Sequence, residues 1–168
     1  MSVRSSQGLF SCEQVVVAAG AWSGEIPLSV NGSRVQLPGT YPVRGILVGR
    51  KFAARTLGPF VRRGHSYVLQ RESGFAIAGT TAEKVGFDRT VTSDAVAGVI
   101  AGVESLWKDF SKGADTESWL GFRPASESGE PHIGRLGDLP VWMAYGHFRN
   151  GILMAPVTSA RIAAELIG

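Results

Sequence analysis

Several features that would assign a class at once are missing from this chain. It holds a single cysteine, Cys12, in 168 residues, which excludes a disulfide scaffold and a cysteine-based zinc site and suits a reducing compartment. Charge-free apolar runs such as Ala95–Val103 fall well short of the roughly 20 residues that a bilayer span needs. No leader pattern opens the chain, because Arg4 is followed by Ser, Gln and Gly. Acidic residues are absent from Ile26 to Arg71, a stretch that carries Arg34, Arg44, Arg50, Lys51, Arg55, Arg62, Arg63 and Arg71. With 44% hydrophobic residues the chain can bury a real core, so disorder is excluded. The expectation is a globular, cytoplasmic chain of one domain's length with no membrane partner.

Familiar chemical signatures are scarce too. There is no Gly-x-Gly-x-x-Gly turn and no Walker-type loop. Gly20-Ala21-Trp22-Ser23-Gly24 resembles a nucleophile elbow, but its serine sits one place too late. His65, His132 and His147 stand far apart with no carboxylate at ligand spacing, so no metal is expected. No His, Cys or Asp constellation marks a catalytic side chain. The basic segment lacks any nucleic-acid motif and reads as surface together with a site for a small anion.

What is present is a sequence of well-punctuated elements. Val15-Val16-Val17-Ala18-Ala19 before Gly20 predicts a strand buried on both faces, as in a parallel sheet. Asn31-Gly32 predicts a hairpin turn between 26–30 and 35–37. Val43–Val48 is a further strand. Glu72-Ser73-Gly74, between strands 66–71 and 75–80, predicts a type I turn ending in a glycine at positive φ. Ser93–Phe110 carries Val96, Val99, Ile100, Val103, Leu106, Trp107 and Phe110 at helical spacing, with Thr92 or Ser93 as cap and Asp94 at the positive end of the dipole. Residues 119–123 and 141–145 read as strands. The polar loop Gly146–Gly151 follows, and then a helix from about Pro156 to Ile167. The two outer pieces suit one sheet, with the antiparallel middle as a lobe over it.

Two arginines have unusual settings. Arg123 ends the aromatic strand Trp119-Leu120-Gly121-Phe122 and precedes Pro124, and Arg149 stands in the loop before the last helix. A guanidinium among apolar residues needs a planar anion, which is either an internal Asp or Glu or a bound carboxylate. Both readings stand on spacing alone. The strand–loop–helix around Gly151 is either an ordinary connection or a place where helix-start amides meet negative charge, such as that of a reduced flavin.

Val15–Ser23 resembles the VVxAAGAWS segment of the D-amino-acid oxidase family of flavoproteins. Pro42-Val43-Arg44-Gly45, Tyr67–Arg71, Gly79–Glu83 with Gly86-Phe87-Asp88, and Gly121-Phe122-Arg123-Pro124 follow in the family's order. Gly146-His147-Phe148-Arg149-Asn150-Gly151 through Pro156 is similar to the closing motif of glycine oxidases. The resemblance implies an α+β fold: an antiparallel substrate lobe with a helix at 25–138, flanked by FAD-domain pieces at 1–24 and 139–168. It implies FAD as cofactor and oxidation of a small amino acid or amine to an imine with peroxide formation. Arg123 and Arg149 would hold the substrate carboxylate, with Tyr67 at the pocket wall. Ala19 and Gly20, with His147, Phe148, Arg149, Asn150, Gly151, Ile152 and Leu153, would meet the cofactor. Only the C-terminal half of a family member is matched, so the N-terminal FAD-binding half is the expected partner, and the chain alone is expected to bind FAD weakly or not at all. The alternative is a non-catalytic, self-associating module of the family. Departures from the pattern are Ile46 for Gln, Gln70 for Pro and Ser128 for Asp.

Overall fold

Turn chemistry and alternation account for most of the strands in the computed structural model, which describes residues 1–167. Strands β1 (Ser2–Ser5) and β2 (Gly8–Ser11) form an antiparallel hairpin that the sequence reading missed. β3 is Val15–Val17. β4 (Leu28–Val30) and β5 (Ser33–Val35) pair antiparallel about the expected Asn31-Gly32 turn, with both turn residues at positive φ. β6 is Thr40–Lys51, β7 Val61–Arg63, β8 Ser66–Gln70, β9 Phe75–Gly79, β10 Ala114–Ser126, β11 His132–Arg135 and β12 Val141–Tyr145. Helix α1 is Ser93–Glu104 and α2 is Gly151–Ile167. The mixed composition bears out the α+β expectation.

The chain divides into two compact units, residues 1–42 with 123–168, and residues 43–122. In the first, β11, β12 and β3 form a sheet in that order. β12 pairs antiparallel with β11 and parallel with β3, in register Val141↔Val15 and Met143↔Val17. The outer pieces of the sequence are thus neighbours in one sheet. Val17, Leu37, Val141 and Tyr145 form its core. The Tyr145 hydroxyl donates to the Pro38 carbonyl at 3.1 Å.

In the second unit the sheet order is β10-β6-β9-β8-β7, and α1 packs on β8 and β9. Val48, Val68, Ala78, Val99, Val103 and Phe110 are buried together. Ile46 is also fully buried. Gln70 accepts from the amides of Thr56 and Leu57, both at 2.8 Å, and donates to the carbonyls of Ala54 and Gly74. A buried amide side chain needs such partners, and this one ties down a loop that a proline at its position would leave unheld.

Four expectations are corrected. β3 ends at Val17, and Val16 is exposed, so this strand is not covered on both faces. α1 stops at Glu104, where the amides of Leu106 and Trp107 both turn onto the Val103 carbonyl. Trp107 then stacks on Phe52 at 4.7 Å, and Phe110 reaches the core from a separate short turn. α2 begins five residues before Pro156, which lies inside the helix. The carbonyl left without its amide partner belongs to exposed Ile152 and can turn to solvent. Arg44, finally, is not part of a basic surface but is 5% exposed and paired with acids.

Candidate functional site

β3 and β12 run parallel, so their carboxyl ends come out at the same edge of the sheet. In open sheets with parallel strands that edge is where ligands bind. After β3 the chain passes Ala18 and Ala19 to Gly20, at φ +58, and enters a 3-10 turn over Gly20–Glu25. After β12 it passes Gly146, at φ +85, and His147, then Phe148 at φ +50, in a 3-10 turn over Phe148–Asn150 that leads directly into α2. Ala19 and Gly20 are therefore brought to the same edge as His147–Leu153, although more than 120 residues separate them in sequence.

The turn is closed from both ends. The Asn150 amide donates to the His147 carbonyl at 2.9 Å, and His147 Nε2 lies 2.9 Å from the Thr158 hydroxyl. Burial holds the His147 imidazole below its ordinary pKa. The Arg149 guanidinium lies over the Phe148 ring, 5.5 Å from its centre. At the start of α2, Ile152 and Leu153 are 94% and 81% exposed. A cavity of about 430 Å³ runs along α2 from Gly151 past Thr158 to Leu166, with Val16, Ala18, Ala144 and His147 also lining it. A larger one, about 1150 Å³, runs beside β3 past Met1–Arg4 and Ile26–Asn31. Ser23 is fully buried, and its hydroxyl has no hydrogen-bond partner among the described residues.

Thr158 was not singled out by the sequence reading. Its signal was the helical spacing of Gly151, Ala155, Thr158, Ile162 and Leu166, all of which line the smaller cavity. Arg123 is half-buried on β10, in the end of that strand that belongs to the first unit. Tyr67 stands on β8 in the other unit, opposite Gly79, with its ring 5.7 Å from that of Phe60. Among the described residues no group of three or more His, Cys, Asp or Glu is placed to hold a metal. No helix is long and apolar enough to cross a membrane.

The second unit holds a separate charged cluster. Arg44 Nε and Nη2 donate to Glu83 at 3.0 and 3.3 Å, and Nη1 donates to Asp88 Oδ2 at 2.7 Å and to the Thr90 carbonyl at 2.8 Å. Bonding to Arg44, with help from the Thr81 hydroxyl, holds the Glu83 carboxyl below its usual range. The Thr90 hydroxyl and amide, then Arg44, do the same for Asp88. The cluster pins the irregular segment after β9 to β6. Its arginine is satisfied by internal acids.

Comparison with known proteins agrees with this architecture. The family model described as FAD dependent oxidoreductase (DAO) matches residues 2–166. The chain is 32% identical over 166 residues to glycine oxidase of Pseudomonas putida and 35% identical over 170 residues to that of Pseudomonas aeruginosa. These matches cover 98% and 99% of this chain but 44% and 45% of those proteins. The crystal structure of glycine oxidase from Geobacillus kaustophilus superposes with a TM-score of 0.86 at 30% identity, over 96% of this chain and 43% of that one. The chain thus spans a little under half the length of the relatives it matches. A match running almost from end to end, carried by both sequence and backbone, makes this chain a member of the FAD-dependent oxidoreductase family to which the glycine oxidases belong.

Proposed function

We propose that the chain is the C-terminal portion of an FAD-dependent amino-acid or amine oxidase of the glycine oxidase type, turning a small amino acid into its imine with formation of peroxide. The observation that carries this reading is that Ala19-Gly20 and residues 147–153 both follow the carboxyl edge of one parallel strand pair. Residues there suit a flat, anion-bearing cofactor. Nothing lies within 4 Å of where a Gly20 side chain would begin, which leaves the backbone open to close approach. Exposed Ile152 and Leu153 offer apolar contact, and the first amides of α2 favour negative charge. Bound FAD supplies the hydride acceptor, and dioxygen restores it.

The chain's own residues then bind and orient. Arg123 would take both carboxylate oxygens of the substrate in its fork, and Arg149 would supply a second contact. Such a clamp fixes the Cα–H direction, and orientation supplies much of the rate without a side-chain acid or base. Tyr67 is carried as a substrate contact by the family resemblance alone. A second reading, a self-associating module without catalysis, draws on the exposed apolar side chains Val16, Trp22, Ile152, Leu153 and Val157.

A visible absorption spectrum with and without added FAD, paired with a peroxide assay on glycine, tests the proposal. The assay is repeated with the N-terminal half of the Pseudomonas putida relative supplied as a second polypeptide. Flavin bands and peroxide in either arm support the oxidase reading. A colourless dimer, indifferent to FAD in both arms, supports the module.

A further inference from the structure

On the reading of Arg149 given above, we propose that Thr158 is a positioning residue: through the imidazole of His147 it holds the turn that presents Arg149, and so sets the affinity for a carboxylate-bearing substrate. Thr158 is 6% exposed on α2. A β-branched hydroxyl residue is a poor helix former, and burying a hydroxyl costs free energy unless it is bonded. Valine would fill the same space with no such cost. What the hydroxyl gains is His147, whose Nε2 lies 2.9 Å away.

His147 is thereby held at two points. Its carbonyl takes the Asn150 amide and its ring meets Thr158, with Phe148 and Arg149 between His147 and Asn150. Phe148 sits at φ +50, in the left-handed region that a residue with a side chain keeps only when its surroundings hold it there. Gly146, at φ +85, frees the chain on the other side of His147. Little else in the turn is buried, since Phe148, Arg149 and Asn150 are all exposed. Removing the Thr158 bond therefore loosens the turn where Arg149 stands, while Ile162, the other buried residue of α2, keeps its place.

The test uses the 15N-labelled 168-residue chain with Thr158→Val, Thr158→Ser, His147→Phe and the Thr158→Val/His147→Phe pair. Amide exchange at Phe148–Gly151 reads the turn, and titration with acetate, followed on the Arg149 side-chain N–H, reads carboxylate affinity. Thr158→Val should speed exchange and weaken acetate binding by about fivefold each, the loss of one hydrogen bond. Thr158→Ser should restore both, and the double variant should be no worse than either single one. Wild-type behaviour of Thr158→Val, or additive effects in the double variant, overturns the proposal. If the wild type takes up no acetate, the substrate reading of Arg149 fails on its own. The exchange arm then decides: faster exchange in Thr158→Val with recovery in Thr158→Ser supports the tether, and unchanged exchange refutes it.

Discussion

Gly74 closes the β8–β9 turn at φ +82, and a side chain there would meet the backbone. Its Cβ would stand 2.3 Å from the Phe52 carbonyl oxygen and 3.2 Å from the carbonyl carbon, neither of which a rotamer change can clear. The left-handed conformation alone costs an alanine about 1–2 kcal/mol. Moving the chain away endangers the bond from the Phe52 amide to the Gly74 carbonyl and that from Gln70, worth roughly 1 kcal/mol each. Gly74→Ala should thus lose about 2–4 kcal/mol. At some 2–4 °C per kcal/mol for a chain of this size, its melting temperature falls by roughly 5–15 °C. Gly64→Ala is the matched control: its φ is +59, but nothing lies within 4 Å of the new Cβ, so only the conformational cost of about 1–2 kcal/mol applies. Gly98→Ala, in an open position within α1, should stabilise by up to about 1 kcal/mol. Thermal and urea denaturation of the three variants check the series. Equal losses in Gly74→Ala and Gly64→Ala would refute the contribution of the Phe52 contact.

Arg44→Met should destabilise the chain at neutral pH, by removing the partner of Glu83 and Asp88, and should flatten its acid dependence. Because both carboxyls are held low in the folded chain, their stabilisation is present at neutral pH and lost as pH falls through their folded values; urea midpoints at pH 7 and pH 3 for both proteins show whether the difference narrows. His147 binds its proton less readily when folded than at its ordinary 6.5, so its contribution to stability declines as pH drops below that value and levels off once the folded ring is protonated. An NMR titration of its ring proton should give a midpoint below 6.5, and a midpoint at or above it would remove the burial argument. The Tyr145 hydroxyl, pushed up to about 12 by burial, should stay un-ionised in ultraviolet titration until the chain unfolds. Tyr145→Phe, which orphans the Pro38 carbonyl, should cost about 1 kcal/mol in urea denaturation.

Local chemistry determined what the sequence alone could tell. The sign of φ at Gly74 follows from a three-residue turn, the stripe Val96–Val99–Val103 from the helical period, and the extent of β12 from five apolar residues between Pro140 and Gly146. The family motifs were legible because each is a short run of particular residue types. Tertiary structure decided the rest. The acids that pair with Arg44 lie about 40 residues further on, so an acid-free segment gave no hint that this arginine was satisfied. α2 takes in a proline and begins at Gly151 because packing on β11 and β12 outweighs one lost hydrogen bond. The pairing of Val15–Val17 with Val141–Met143 is likewise a contact between chain ends, and it is this pairing that turns two unremarkable loops into one candidate site.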